Sequence, residues 1–343
     1  MSTTPYRKQA NFAWFGLGFN ILVVLWGAFV RATGSGAGCG AHWPSCNGEV
    51  VPRAPAVETM IEFFHRATSG MALLLVLALL IWFLRSYPKG HPARLGAVLS
   101  AVFILLEALV GAMLVLNEWV AGDVSIGRVI SQGIHLLNTF LLLASLTLTA
   151  HWSTKPAKPA GLVSTTAKSS VVVDQEHTAA PLRWGLGIGA VLILALGVSG
   201  AITALGDILF KVNSLAEGIA QDFHPDSHFL VRLRVWHPVI AIITGLYTIF
   251  IALLAGLFYP ARAQKRLTIS LVSLFIVQLG AGLVNLLLLA PVWMQIVHLL
   301  LADLVWVAYV LLAVNLLEAP AGQTQEIMKP DLKANLTETM HEH

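Results

Sequence analysis

Four histidines recur at matched positions along the chain, and imidazole is both a common metal ligand and a proton carrier. His237 follows His65 by 172 residues, and His298 follows His135 by 163 residues. Each lies near one end of a long apolar segment. A single histidine in such a segment is often only an interhelical hydrogen-bonding residue. Two at matched depth in each half of the chain instead indicate a binding site.

Two imidazoles on facing helices fit a planar cofactor held edge-on, with one imidazole on each face of its iron. Haem ligated by two histidines inside a four-helix bundle has this arrangement. Neutral ligand imidazoles also avoid the cost of a charge within a membrane. A non-haem metal is the weaker alternative, because no carboxylate within the membrane accompanies the second pair. The sequence therefore predicts two haem sites, one in each half.

The segment IEFFHRATSG adds a carboxylate beside the first histidine. Glu62, His65 and Arg66 are spaced i, i+3 and i+4, which places them on one face of a helix. A carboxylate next to a haem site can accept or relay a proton. The alternative is an interfacial Glu62–Arg66 pair whose side chains reach water. The matching position in the other half is Arg234, so the two halves are expected to differ in role.

A second carboxylate, Glu107, is predicted in the middle of an apolar segment. It lies in EALVG, which matches QLGAG and therefore Gln278 in the other half. Because a carboxylate is costly in lipid, Glu107 is expected to be protonated, paired inside the bundle or part of a proton route.

Membrane-spanning helices must position these residues. Of 343 residues, 57% are hydrophobic and 11% are charged, whereas soluble domains carry roughly 25% charged residues. Apolar runs long enough to cross a bilayer recur along the whole chain. The sequence predicts an all-α polytopic membrane protein whose first helix is retained and not cleaved as a signal peptide. Eight transmembrane helices are expected at 12–30, 63–84, 96–116, 129–150, 184–206, 234–257, 268–289 and 293–316.

The distribution of Lys and Arg predicts the orientation of these helices. With the N-terminus inside, fourteen of the 21 Lys and Arg residues fall on the cytoplasmic side. Both chain termini are therefore expected to be cytoplasmic, and the loop after the first helix is expected outside.

The repeated spacings indicate two copies of a four-helix unit. Because each unit has an even number of spans, their pseudo-twofold axis is expected along the membrane normal. The predicted domains are an N-terminal bundle, 1–150, with an outer cysteine loop at 31–60, and a C-terminal bundle, 184–318. A cytoplasmic linker, 151–183, rich in Lys, Pro, Ser and Thr, joins them, and a disordered cytoplasmic tail, 319–343, follows.

Both cysteines of the chain, Cys39 and Cys46, lie in the glycine-rich segment RATGSGAGCGAHWPSCNG. Six residues separate them, and Pro44 can turn the chain between them. In an outward loop, which meets an oxidising compartment, such a pair favours a disulfide. The rival interpretation is a metal site with His42 as a third ligand, which is an incomplete set for zinc.

Five segments together resemble the haem A synthase (CtaA/Cox15) family. They are RATGSGAGCGAHWPSCNG, EFFHR, QGIHLLNTF, RVWHPVIA and QIVHLLLADLVW. The resemblance extends over all eight predicted helices. Its most specific part combines R-x-T-G-S-G and the cysteine pair with E-x-x-H-R.

The resemblance implies an oxidoreductase that converts haem O to haem A for terminal oxidases, by successive hydroxylations of the C8 methyl group to a formyl group. It implies one haem b cofactor, bound by His237 and His298. The substrate haem O would lie between His65 and His135, and Glu62 matches the acidic residue of the reaction. The catalytic residues implied are thus Glu62, His65 and His135.

The resemblance further implies a bacterial plasma-membrane protein with a Cys39–Cys46 pair in its outer loop. That pair would either tie down a lid over the N-terminal site or exchange electrons during turnover. The expected partners are the lipid bilayer, haem O synthase (protohaem farnesyltransferase) and a membrane electron acceptor. No nucleic-acid partner is expected.

Two other functions would use the same four histidines. A quinone-linked dihaem b-type electron-transfer protein would leave the porphyrin unchanged, but it explains neither the cysteine loop nor the difference between Glu62 and Arg234. A parallel-repeat transporter is disfavoured, because Gly and Pro do not visibly interrupt the spans at their midpoints.

Overall fold

The computed structural model describes residues 6–155, 172–258 and 261–318, and regular structure in these ranges is helical. Eight helices are long and apolar enough to cross a membrane, as the sequence predicts. Two short helices, Leu215–Phe223 and Phe229–Leu233, precede Trp236, where the long helix of the sixth span begins. In chain order the helices are α1 Arg7–Ala32, α2 Val57–Ser86, α3 Pro92–Leu116, α4 Ile126–Ser153, α5 Val172–Leu209, α6 Leu215–Phe223, α7 Phe229–Leu233, α8 Trp236–Phe258, α9 Arg262–Leu287 and α10 Val292–Glu318.

Helix α2 begins at Val57, six residues before the predicted start at 63. Glu62 therefore lies in the second turn of a helix, and His65 lies in the third. Helix α4 begins after Ser125, whose hydroxyl caps it by accepting a hydrogen bond from the Arg128 N–H at 3.2 Å. This N-cap satisfies a backbone donor that the first turn leaves free.

The helices of each half form a ring of four. Helices α1 and α3 both contact α2 and α4, and helices α5 and α9 both contact α8 and α10. The histidines of each half are therefore carried by helices that lie diagonally across a ring. This common order is expected from the repeat, and the symmetry axis stays a prediction.

Helix α4 joins the two rings. It contacts α5 and α10 as well as α1 and α3, and 56% of its spanning stretch is buried, against 33% or less in the other spans. Trp306 of α10 donates a hydrogen bond from Nε1 to the carbonyl of Phe140 at 2.7 Å, and the aromatic side chains of these two residues stack on each other. The apolar side chains exposed on the other helices are those that lipid would cover.

At the end of the rings away from the cysteine loop, Glu318 of α10 accepts a hydrogen bond from Trp152 Nε1 at 2.8 Å and pairs with Lys155. The predicted linker, 151–183, overlaps the end of α4 and the start of α5 at Val172. Its residues 156–171, and the predicted tail 319–343, lie outside the described residues.

Candidate histidine sites

The C-terminal ring brings His237 and His298 together. Their ring centroids are 6.4 Å apart, and the ring planes are nearly perpendicular, at 88°. Two imidazoles that share a metal atom at about 2 Å each have centroids roughly 6 Å apart, because each centroid lies about 1 Å behind its bonding nitrogen. The separation therefore fits one iron atom between the two rings.

Ser199 of α5 orients His237. Its hydroxyl oxygen lies 3.0 Å from His237 Nδ1 and donates its own proton to the carbonyl of Leu196 at 2.8 Å. The oxygen is thus left to accept the Nδ1 proton, which leaves Nε2 unprotonated and able to bind a metal. Sequence reasoning missed Ser199, although it directly precedes Gly200, which follows Gly27 by 173 residues and so matches it in the repeat that relates His237 to His65.

The surroundings of His298 contain buried polar atoms that lack partners among the described residues. They are His298 Nδ1 and Gln278 Oε1. The Gln278 amide nitrogen lies 3.4 Å from His298 Nε2, so a metal at that nitrogen would displace the amide. Buried polar groups are rarely left unpaired in folded proteins, and here they mark a place where a further group can bind.

In the N-terminal ring, His65 and His135 are carried by α2 and α4, which lie diagonally across the ring. The Nδ1 atoms of both are buried and form no hydrogen bond within the described part of the chain. His135 Nδ1 lies 3.4 Å from Glu107 Oε1. Each pair therefore includes at least one buried imidazole nitrogen that forms no hydrogen bond within the described residues.

Glu107 is paired inside the bundle, which is one of the three outcomes expected for it. Its carboxylate accepts hydrogen bonds from Asn138 Nδ2 and Thr139 Oγ1, each at 2.5 Å. Both partners follow His135 on α4. Glu107 thus fixes α3 to the turn that carries His135, and its counterpart Gln278 contacts His298 in the other ring.

Glycines leave room for three of the four imidazoles. A Cβ atom added at Gly27 would lie 2.8 Å from His65 Cε1, and one at Gly200 would lie 3.0 Å from His237 Cε1. At Gly282 the distance to His298 Cε1 would be 3.1 Å. These approaches are tighter than ordinary van der Waals contact, so each position favours glycine for steric reasons. The fourth matched position, Gly111, has nothing within 4 Å.

The cysteine loop is closed by a disulfide between Cys39 and Cys46, and both residues are buried. The rival interpretation, a metal site that uses both thiols and His42, is therefore wrong, since the disulfide consumes the thiols. Elsewhere in the described ranges, no cluster of three or more His, Cys, Asp or Glu side chains is arranged to hold a metal ion.

Glu62 is held against this loop. One of its carboxylate oxygens accepts a hydrogen bond from the Cys39 N–H at 2.8 Å, and the other accepts one from Arg66 Nε at 3.1 Å. Arg66 Nη1 donates to the carbonyls of His42 at 2.5 Å and Ser45 at 2.6 Å. Glu62 is only 3% exposed, so its carboxylate does not reach out to water, while the Arg66 side chain stays partly exposed. The pair clamps the disulfide loop to α2, one turn from His65.

The matching position in the C-terminal ring is a buried cation. Arg234 donates hydrogen bonds to Asp207 Oδ1 at 3.2 Å and to Asp222 Oδ1 at 3.0 Å. The two halves therefore carry opposite charges at this position, as the sequence predicts. The two aspartate partners could not be inferred from sequence, because α5 and α6 supply them from outside the repeated motif.

These features define a multi-pass helical membrane protein with two histidine pairs, each set across a ring of four helices, and a disulfide loop clamped beside one pair. The chain belongs to the cytochrome oxidase assembly protein family COX15-CtaA, whose sequence profile matches residues 10–310.

Individual relatives extend this similarity. The chain is 51% identical over 325 residues to "Protoheme IX farnesyltransferase" of Thermus thermophilus, a match that covers 95% of this chain and 51% of the relative. The chain thus spans about half the length of that protein. It is also similar to "Heme A synthase" of Exiguobacterium sibiricum, 42% identical over 31% of this chain and 36% of the relative. The match to "Heme A synthase" of Bacillus cereus is 48% identical over 27% of this chain and 30% of the relative.

Proposed function

We propose that this protein is a haem A synthase, an oxidoreductase that converts the C8 methyl group of haem O to a formyl group by successive hydroxylations. The observation that carries the proposal is the asymmetry of the two histidine pairs. Within the described residues, only the N-terminal pair has a buried carboxylate, Glu62, that lies three residues from a histidine and is hydrogen-bonded to a disulfide loop; Asp303, the buried carboxylate on the helix of His298, lies five residues from that histidine and contacts no such loop. A protein that merely passed electrons between two haems would not need that difference.

The C-terminal ring is proposed to bind one haem b through His237 and His298. The support is the 6.4 Å separation of the imidazoles and the Ser199 hydroxyl that leaves His237 Nε2 free. A haem held by both histidines would supply one-electron transfer rather than oxygen activation. This half of the protein contributes two imidazole side chains, and it has a glycine at each point where one of them approaches a neighbouring helix.

The N-terminal ring is proposed to bind haem O between His65 and His135, with Glu62 as the catalytic carboxylate. Oxidation of a methyl group must release protons as well as electrons, and a carboxylate beside the porphyrin can accept the protons. The Cys39 N–H and Arg66 hold the Glu62 oxygens in place. Glu107 is proposed to act as a positioning residue for His135, because it binds the two side chains that follow that histidine.

The proposed setting is a bacterial plasma membrane, with both termini cytoplasmic and the cysteine loop outside. The Thermus relative supports a partnership with the prenylating enzyme: about half of that protein is similar to this chain, and the whole is named a protohaem IX farnesyltransferase. We infer that its other half carries the prenylating activity. A farnesyltransferase that makes haem O would then supply the substrate of this protein within the same membrane. A membrane electron acceptor would complete the reaction.

The test is co-expression with a haem O synthase in a host that lacks haem A, followed by extraction and chromatography of the haems. Haem A or its hydroxylated precursor should appear, and neither should appear with the haem O synthase alone. Recovery of only haem B and haem O, from cells that contain the folded protein, would contradict the proposal and favour the dihaem electron-transfer protein.

Replacing Ser199 by Ala is expected to weaken haem binding in the C-terminal ring about ten- to a hundredfold, the usual effect of removing a hydrogen bond that orients a metal-binding histidine. Haem titration of the purified protein measures this. Thr203→Ala is the matched control, because Thr203 lies one turn further along α5 and its buried hydroxyl lacks a hydrogen-bond partner among the described residues. Equal affinities in the two variants would contradict the role of Ser199.

Replacing Gly282 by Val is expected to lower haem occupancy of the same ring severalfold, because the added atoms would meet the His298 imidazole 3.1 Å from the new Cβ. Gly280→Val is the control: it places the same β-branched residue in α9, where nothing lies within 4 Å of the new Cβ. The ratio of haem absorbance to protein absorbance after purification measures occupancy. Similar losses in both variants would show that only α9 was disturbed.

A further inference from the structure

Arg31 lies in the last turn of α1, at the end of the helix next to the cysteine loop. It follows Gly27 by four residues, so the two share one face of the helix. Gly27 is the residue that packs against the His65 imidazole. The Arg31 side chain therefore starts one helical turn nearer to the cysteine loop than Gly27 does, on the face of α1 that packs against His65.

The Arg31 guanidinium lacks a hydrogen-bond partner within the described residues, and its Nε atom is fully buried. Arg128 and Asp207 act on its charge from longer range, and neither forms a hydrogen bond or an ion pair with it among the described residues. The Asp207 carboxylate already accepts a hydrogen bond from Arg234 at 3.2 Å. Arg128 donates to the carbonyls of Ala121 at 2.5 Å and Asp123 at 2.6 Å, so it adds positive charge without satisfying Arg31.

Arg31 is only partly exposed and its buried Nε atom is unpaired within the described residues; leaving part of a charged group without a partner is costly, and a ligand with a carboxylate would remove that cost. The planar fork of arginine matches a carboxylate, which it can bind through two parallel hydrogen bonds. A porphyrin of the haem type has two propionate carboxylates on one edge, and its other edges are apolar. The charge on Arg31 and its place one helical turn from Gly27, which packs against His65, therefore suit that edge of a porphyrin held between His65 and His135.

We propose that Arg31 binds a propionate carboxylate of the porphyrin in the N-terminal ring, and that Arg128 strengthens the positive potential there. The proposal rests on the proposed function, because it takes that porphyrin to be the substrate haem O. It assigns a role to the arginine of the R-x-T-G-S-G segment.

This contact would narrow the reacting position to two of the four methyl groups. The C8 methyl group is next to one propionate and the C5 methyl group is next to the other, whereas the remaining two methyl groups lie toward the opposite edge. Holding the propionate edge at Arg31 places the C5 and C8 methyl groups at the end of the four-helix ring where Glu62 and the disulfide loop lie. The apolar edge, with its farnesyl tail, is left toward the middle of the bilayer. Arg31 is thus a positioning residue.

The test compares ferric protoporphyrin IX with its dimethyl ester, in which both carboxylates are blocked. The site-specific signal is the part of the absorbance titration that His65→Ala removes. The wild-type protein is expected to bind the free acid about ten- to a hundredfold more tightly than the ester, as for a charge-assisted hydrogen bond. In Arg31→Gln this preference should fall to about threefold or less, and Arg31→Lys should keep part of it. Arg53→Gln, which removes an exposed charge near the same loop, should behave as wild type.

An equal affinity of the wild-type protein for acid and ester would overturn the proposal, without requiring any variant to fold. So would an Arg31→Gln protein that keeps the full preference, or an N-terminal ring that binds neither porphyrin. Failure of the haem A synthase assignment is distinguishable. In that case co-expression yields no haem A, while a preference for the free acid that depends on Arg31 still identifies a porphyrin carboxylate site.

Discussion

Replacement of His237 or His298 by Ala is expected to abolish the low-spin haem b spectrum of the purified protein. The two imidazoles lie 6.4 Å apart across the C-terminal ring, and loss of either leaves the iron with one protein ligand. Changing a residue that only orients a ligand already costs about ten- to a hundredfold in metal affinity, so removing the ligand itself should cost more. The absorbance spectrum of the reduced protein measures the loss.

His224→Ala is the control for this experiment, because His224 is an exposed loop histidine near the same end of the ring. It should keep the full spectrum. Size-exclusion profiles that match the wild type would show that the ring variants are folded. A folded His298→Ala protein with an unchanged low-spin spectrum would exclude the proposed ligand pair.

Replacement of Glu62 by Gln is expected to reduce conversion of haem O by about 10²- to 10⁴-fold, the usual contribution of a positioned acid or base. The haem b spectrum should persist, because the C-terminal ring is untouched. Glutamine is the informative substitution, since its amide oxygen can still accept the hydrogen bond from the Cys39 N–H while the negative charge is lost. Chromatography of haems extracted after co-expression measures the conversion.

Glu58→Gln is the matched control: Glu58 lies one turn earlier on α2 and is exposed, so its loss should leave conversion unchanged. Mass spectrometry of unreduced peptides should still find Cys39 joined to Cys46 in the Glu62 variant. If the disulfide is intact and conversion is complete in Glu62→Gln, the carboxylate has no catalytic role and serves only to clamp the loop.

The eight spans could be predicted from local patterns. The same patterns separate the four histidines of the repeat from the other histidines of the chain. A run of apolar residues long enough to cross a bilayer indicates a helix whatever its neighbours are. The repeat separates four histidines from the rest and matches Gly27 with Gly200. The structure adds a steric reason for that match, since each of these glycines approaches an imidazole on the next helix.

Helix boundaries were harder to predict, because a membrane helix can continue beyond the apolar stretch. Helix α2 starts at Val57, and its polar first turns carry Glu62 into contact with the cysteine loop. Hydropathy places that segment outside the bilayer and does not predict whether its backbone is helical.

The sequence by itself determined the class of this protein and the presence of a cysteine pair in one loop, and it predicted which histidines bind haem, because composition, spacing and residue type carry that information. Only the tertiary structure decided what those residues contact. Glu62 accepts a hydrogen bond from Cys39, 23 positions away, and Ser199 reaches His237 from another helix. Arg234, which lies between α7 and α8, obtains its two carboxylates from α5 and α6. Such contacts depend on how the helices pack, and buried polar groups take whichever partners that packing brings within hydrogen-bond distance.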